Sequence, residues 1–227
     1  MGDVPEAKWE YGDQQSIGIS DNTVDEEAVM SRLDKLRDDK AAGADEFIPR
    51  FLNNIKLELA RPLTMFFRKV MDNEQVPGDW KEPNVIPIFK SGNRNTATNY
   101  RLVSLTSQIC KVFEAIDQVV EFLEDNKLIR NSQHGFRKGS SCLTNLLLFL
   151  DKVIHSIDDG HGADIVFLDL AKAFDKVPHQ RLLEKPRKHG IAGKVLGVIE
   201  NWLRGSRQRV CIRGRWSSWI TVWSGVP

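Results

Sequence analysis

Residues 163–170 read "ADIVFLDL", an apolar stretch too short for an ordinary core helix and preceded by the chain-breaking Gly160 and Gly162. Such a run is a buried strand, and it commits the fold to a sheet with covered faces. Asp169 then emerges from the core at a fixed point, and after five further residues that include Ala173 and Phe174 comes Asp175. A rigidly held carboxylate suits a hard cation such as Mg²⁺, which prefers oxygen ligands and takes one or two protein carboxylates beside substrate phosphates. An Asp at a strand end also caps helices and forms turns, and spacing by itself favours that plainer use.

Elsewhere helices and short strands mix without a regular βαβ rhythm or an internal repeat. Thr23 and Glu26 have capping-box spacing ahead of a helical stripe of Val24, Val29, Leu33 and Leu36 that stops near Gly43. Residues 47–80 carry apolar spacing for one or two helices, with Pro62 starting or kinking the second. "NVIPIFK" and "YRLVSLT" are short strands around the polar "SGNRNTATN", a hairpin with a mobile tip. Helical patterns cover 107–126 and the stretch from Cys142 to Gly160, joined by the loop "NSQHGFRKGSS". Two more cover "HQRLLEKPRKHG" and "AGKVLGVIENWLRG", and "RQRVCIRG" with "WITVW" forms a closing hairpin. The class is α+β, helix-rich with short antiparallel sheets.

With 41% hydrophobic residues in 227, the chain can bury the core of one large domain or two small ones. Its net charge of +1 conceals a division: residues 1–46 hold 5 basic and 13 acidic side chains, whereas residues 47–227 hold 27 and 18. Between 201 and 216 stand Arg204, Arg207, Arg209, Arg213 and Arg215, with no acid among them. A loose acidic leader over 1–23 followed by a body that meets a polyanion fits this division, and so does a solvated basic face. Cys110, Cys142 and Cys211 are far apart with no C-x-x-C pair, which points to three reduced thiols rather than a disulfide framework or a zinc site. His134, His179 and His189 lack metal-ligand spacing and read as structural. No run approaches the ~20 apolar residues that cross a bilayer, and the N-terminus lacks a signal pattern. A soluble, intracellular protein with no membrane segment is expected.

Several words in order carry a resemblance. "VPGDWKEPNVIPIFKSGNRNTATNYRLVSLTSQICKVFE", "SQHGFRKGSSCLTNLLLF", "DIVFLDLAKAFDKVPHQRLL", "HGI", "NWLRGSRQRV" and "SGVP" resemble the reverse transcriptases of non-LTR, LINE-like retrotransposons, the jockey-like elements most of all. The likeness is strong from Asp79 to Pro227 and weaker back to Val24. It implies a right-hand polymerase: fingers over 24–160 and an incomplete palm over 161–227. It implies an RNA-directed DNA polymerase whose partners are an RNA template, a DNA primer and a dNTP, located in the nucleus or cytoplasm. By the same resemblance Asp169 binds two catalytic Mg²⁺ ions, and the main-chain carbonyl of Leu170 completes one metal shell. Phe174 lies beneath the incoming sugar and rejects a 2′-hydroxyl. Lys90 and Arg101 on the fingers hairpin face the triphosphate, and Gln133, Gly135, Phe136, Arg137 and Lys138 contact the template. Asp175 is expected to be structural, capping the next turn. The implied reaction is attack of a primer 3′-hydroxyl on the α-phosphate of a dNTP, with two metal ions about 4 Å apart.

In that family "SGVP" leads into Gln-Gly and later into an aromatic-x-Asp-Asp hairpin whose aspartate partners Asp169. Asp38-Asp39 and Asp158-Asp159 are the Asp-Asp pairs of these 227 residues, and neither is flanked by strand patterns. The expectation is a truncated reverse transcriptase fold, inactive as this chain alone, with "ADIVFLDL" left as an unpaired apolar edge prone to aggregation or partial disorder. Leu102, Ala44 and Pro186 depart from the family pattern, and a proline inside a helix costs ~3 kcal/mol, which suits a decaying copy. The alternative from another class is a non-catalytic nucleic-acid-binding remnant, served by the basic C-terminal third and Trp202, Trp216, Trp219 and Trp223.

Overall fold

The computed structural model describes residues 24–116 and 119–226, so the acidic leader, Thr23 as a cap, and Pro227 lie outside the described residues. The chain divides into two compact units, one built from the residues before 119 together with those from Phe174 onward, the other from Val119–Ala173.

In the first unit, α1 (Glu26–Asp34) is capped by the Asp25 carboxylate, which accepts the Ala28 N–H at 2.7 Å. Val29 and Leu33 are buried, and the helix ends at Asp34 rather than near Gly43 because only the half-buried Leu36 continues the apolar stripe. Two helices follow, α2 (Pro49–Asn54) and α3 (Lys56–Asn73). The break falls at Ile55, not at Pro62, which lies inside α3. Burial of Ala60, Leu63, Phe67 and Val70 along one side carries α3 through the missing N–H of Pro62.

The predicted hairpin is present as β1 (Asn84–Phe89) and β2 (Tyr100–Leu105), antiparallel from Asn84 opposite Leu105 to Phe89 opposite Tyr100. Hydrogen bonds lace its tip: Lys90 N–H donates to Asn99 O at 2.9 Å, and the Tyr100 hydroxyl donates to Arg94 O at 2.8 Å. Next comes α4 (Gln108–Ile116), whose start is capped from a distance by Asp45; that carboxylate accepts the Ser107 hydroxyl at 2.6 Å and the Gln108 N–H at 3.2 Å.

The second unit holds α5 (Val119–Asp125) and α6 (Cys142–Asp158), the latter opened by a capping box between Ser141 and Thr144. Here one expectation fails. Residues 163–170 form no strand, and Val166, Phe167, Leu168 and Leu170 are all more than three-quarters exposed. A strand exists only as part of a ladder, and among the described residues no strand pairs with this one. The Phe167 ring, 5.8 Å from that of Phe149, links the segment to α6.

The chain then returns to the first unit with α7 (His179–Lys188), α8 (Gly193–Leu203), β3 (Arg207–Ile212), β4 (Arg215–Trp216) and β5 (Ile220–Thr221). Pro186 lies inside α7, as the sequence indicated. Trp80, Phe67 and Phe113 form one buried aromatic cluster with centroids 5.2–6.3 Å apart, and Trp202 of α8 joins it through Trp80 at 5.9 Å. The expectation of antiparallel sheets needs correction. Among the described residues the strands form one mixed sheet in the order β2-β1-β3-β4, with β5 also on β3, and β1 runs parallel to β3. Parallel neighbours need a long crossover, and here the residues between β2 and β3 provide it.

Candidate active site

The ten residues singled out from the sequence fall in both units. Lys90, Arg101 and Phe174 belong to the first; Gln133, Gly135, Phe136, Arg137, Lys138, Asp169 and Leu170 belong to the second.

On the β1–β2 hairpin, register decides which side chains share a face. Ile88 stands opposite Arg101, and the Lys90–Asn99 bond continues the ladder, so alternation puts Lys90 and Arg101 on one side with Ile86 and Ile88. The opposite side carries the buried Val85, so the two cations project from the open face, and both are exposed.

In the loop between α5 and α6 some side chains turn inward and others outward. Arg137 is turned inward: its Nε donates to Glu124 Oε1 at 3.3 Å and its Nη1 to Arg130 O at 3.3 Å. Gln133 Nε2 donates to the Gly135 carbonyl at 3.1 Å, shaping the turn in which Phe136 adopts φ +60°. Phe136 is 86% exposed and Lys138 is exposed, so these two side chains are presented to solvent.

Asp169 and Leu170 lie side by side on the irregular 161–170 segment, both exposed. Among the described residues no three His, Cys, Asp or Glu side chains gather where they could hold a metal ion. The Asp169 carboxylate and Leu170 carbonyl are hard oxygen donors of the kind Mg²⁺ accepts, but one carboxylate and one carbonyl do not fill the shells of two ions.

Phe174 and Asp175 begin the return to the first unit, where they meet the far end of the chain. Val226 N–H donates to Phe174 O at 3.1 Å, Gly225 N–H to Val177 O at 2.8 Å, and the Ser224 hydroxyl to Asp175 O at 3.2 Å. His179 Nε2 donates to the Gly225 carbonyl at 2.8 Å. Thus "AFDKVPH" and "SGV" are fastened together, although about fifty residues separate them. Asp175 takes part through its main chain; α7 starts at Pro178 without a side-chain cap, so the expected capping by the Asp175 carboxylate is not what forms. His134 and His189 also make local bonds, to Thr144 Oγ1 at 3.0 Å and to Lys185 O at 2.8 Å.

Sequence reasoning missed this fastening and, in a second cluster on β3, the stacking of Trp216 and Trp219 on Arg209, although it named both tryptophans for nucleic-acid binding. The signals were faint: a glycine in a "SGVP" word, and two tryptophans three residues apart.

Residues 88–227 match the family described as reverse transcriptase (RNA-dependent DNA polymerase). The chain is similar to the probable RNA-directed DNA polymerase from transposon BS of Drosophila melanogaster, 24% identical over 217 residues, which are 94% of this chain and 24% of that protein. The RNA-directed DNA polymerase from mobile element jockey of the same organism is 27% identical over 217 residues, 94% of this chain and 23% of that protein. The probable RNA-directed DNA polymerase from transposon X-element, also of Drosophila melanogaster, is 27% identical over 191 residues, 83% and 21% respectively. The chain therefore spans about a quarter of the length of the curated relatives it matches. The resemblance read from the sequence to jockey-like elements holds. No helix among the described residues is long and apolar enough to cross a membrane.

Proposed function

The chain belongs to the reverse transcriptase (RNA-dependent DNA polymerase) family, and from that premise we propose that it forms part of the polymerase of a non-LTR retrotransposon, copying an RNA template by extending a DNA primer with dNTPs. The observation that carries the reading furthest is the β1–β2 hairpin, formed where the sequence predicts one, with Lys90 and Arg101 exposed on one face. Two exposed cations on one face suit the triphosphate of an incoming nucleotide, neutralising charge and holding it in place.

Asp169 is the catalytic carboxylate in this reading, with the Leu170 carbonyl as a second oxygen donor to Mg²⁺. Held there together with the second acid, Mg²⁺ would supply acidification of the primer 3′-hydroxyl and stabilisation of the leaving pyrophosphate. The exposure of 163–170 is consistent with a strand that acquires its ladder from an aromatic-x-Asp-Asp hairpin, which would also bring the second acid. Phe174, five residues after Asp169, meets the incoming sugar in this reading. Phe136 and Lys138 are the template-facing members of their loop, while Arg137 braces it from within. Fingers over 24–160 and the beginning of a palm over 161–227 remain the proposed division. These 227 residues alone are expected not to extend a primer.

The test is primer extension on an RNA template by a polypeptide that carries these residues together with the second aspartate motif. DNA product dependent on dNTPs and RNA supports the reading. Template binding without any product from such a polypeptide overturns it.

A further inference from the structure

The second cluster lies on β3 and its hairpin partner strands. Across the ladder Cys211 stands opposite Trp216, but Gln208 stands opposite Ile220, so the register slips by one residue and both Ser218 and Trp219 face Arg209. This is a one-residue bulge. The Val210 N–H marks it, donating to the Ser217 hydroxyl at 3.0 Å instead of to a ladder carbonyl.

In a regular strand, residues 216 and 219 would point to opposite faces. The bulge brings both indoles to the face of Arg209, whose guanidinium carbon lies 4.2 Å from the Trp216 ring centroid and 4.5 Å from that of Trp219. Its Nε donates to Asn84 Oδ1 at 2.9 Å, fixing the stack to β1. Beside it Arg207 is held by Glu82 and lies 5.6 Å from the Trp219 centroid. Arg209 pairs with no carboxylate among the described residues, so its charge stands unneutralised between two rings. Trp216 is still 49% exposed, which leaves indole surface open. The adjoining turn, Arg213 at φ +51° and Gly214 at φ +75°, presents Arg213 and Arg215 at the tip of the hairpin, Arg215 opposite Ile212 and so on the other face of the ladder from Trp216; both are exposed and neither pairs with a carboxylate among the described residues.

We propose that this bulged hairpin is a stacking site for single-stranded nucleic acid: an unpaired base lies on Trp216, held rigid by Arg209 and Trp219, and the neighbouring phosphates meet Arg213 and Arg215. The occupant follows from complementarity. A flat, half-open indole backed by a fixed cation accepts any base face, and unpaired arginines one turn away accept the backbone. An acidic protein segment would satisfy the arginines but leave the indole unused. The inference rests on the reverse transcriptase reading for its choice of RNA, and it assigns strand contact to residues with no part in the Asp169 chemistry.

The experiment is equilibrium binding of the 227-residue chain to single-stranded oligouridine and oligoadenosine over a salt series, with polyglutamate as the competing polyanion. Both oligonucleotides bind and quench tryptophan fluorescence, and polyglutamate competes poorly. Trp216→Ala weakens binding about tenfold or more, and Trp216→Phe keeps it within about threefold, because stacking is worth ~1–3 kcal/mol per base. Arg213→Gln with Arg215→Gln lowers the slope of log affinity against log salt by about 1.4, at ~0.7 per phosphate contact on a single strand. If Trp216→Ala does not fold, this double variant at the turn decides alone. Wild-type affinity in both variants, or polyglutamate competing as well as RNA, overturns the proposal. Unchanged binding in Trp216→Ala alongside RNA-templated synthesis by the longer polypeptide would leave the polymerase reading standing without this site. Weakened binding without synthesis would do the reverse.

Discussion

Gly225 lies against the main chain of Asp175. A Cβ added to Gly225 would stand 2.8 Å from the Asp175 carbonyl oxygen and 2.9 Å from its Cα, and Gly225 has φ +91°. Both the space and the backbone require glycine. Gly225→Ala is therefore expected to destabilise the first unit by about 2 kcal/mol or more, from strain and a forced shift. A chemical denaturation midpoint measures this; an unchanged midpoint means the two segments are not fastened as described.

Pro186 is a weakness within α7. It removes an N–H from the helix interior and crowds the preceding turn, a loss of order 3 kcal/mol in a well-formed helix and less near its end. Pro186→Leu is expected to raise the thermal midpoint, by roughly 2–4 °C for a gain of ~1 kcal/mol. A fall would show that the kink is used in packing α7 on α8.

The three thiols differ in environment. Burial pushes the Cys110 thiol far above its usual range, with Glu114 adding to the effect, whereas Cys142 is exposed. In the native chain a thiolate-seeking alkylating agent is expected to label Cys142 quickly and Cys110 only after denaturation. Equal labelling of the two would contradict the packing of α4 into the core.

Some of this was legible in the residues and some was not, for physical reasons. The β1–β2 hairpin was readable because alternation in "NVIPIFK" and "YRLVSLT" is local and the turn lies between them. The "ADIVFLDL" strand was misread because its apolar character reports what the segment tends to bury, while a strand needs a partner that periodicity cannot supply. The parallel pairing of β1 with β3 depends on residues 125 positions apart, Asn84 and Arg209, and no local pattern encodes that. The Trp216–Arg209–Trp219 stack was hidden because a one-residue bulge reverses the facing that spacing predicts. Within the site, the cations of the "QHGFRKGSS" loop were visible, but only the fold shows Arg137 tied to Glu124 and Lys138 left open.

Lys90 and Arg101 act on the nucleotide in this account, not on the template. In a polypeptide active on RNA, replacing both with alanine is expected to raise the KM for dNTP about tenfold or more, since each charged hydrogen bond to phosphate contributes ~1.5–3 kcal/mol. Template affinity should change little. Loss of template affinity with an unaltered nucleotide KM would assign the pair to the other strand.

The most direct test of the central claim is single-turnover nucleotide incorporation by the Asp169→Asn variant of a polypeptide that also carries the second aspartate motif, with template–primer affinity measured alongside. Asp169 is exposed, so the substitution should leave stability within about 0.5 kcal/mol. The account predicts incorporation reduced by at least about a thousandfold with affinity unchanged, the pattern of a lost transition-state interaction. Incorporation within tenfold of the unsubstituted protein would contradict it, since the carboxylate at 169 would then hold no catalytic metal.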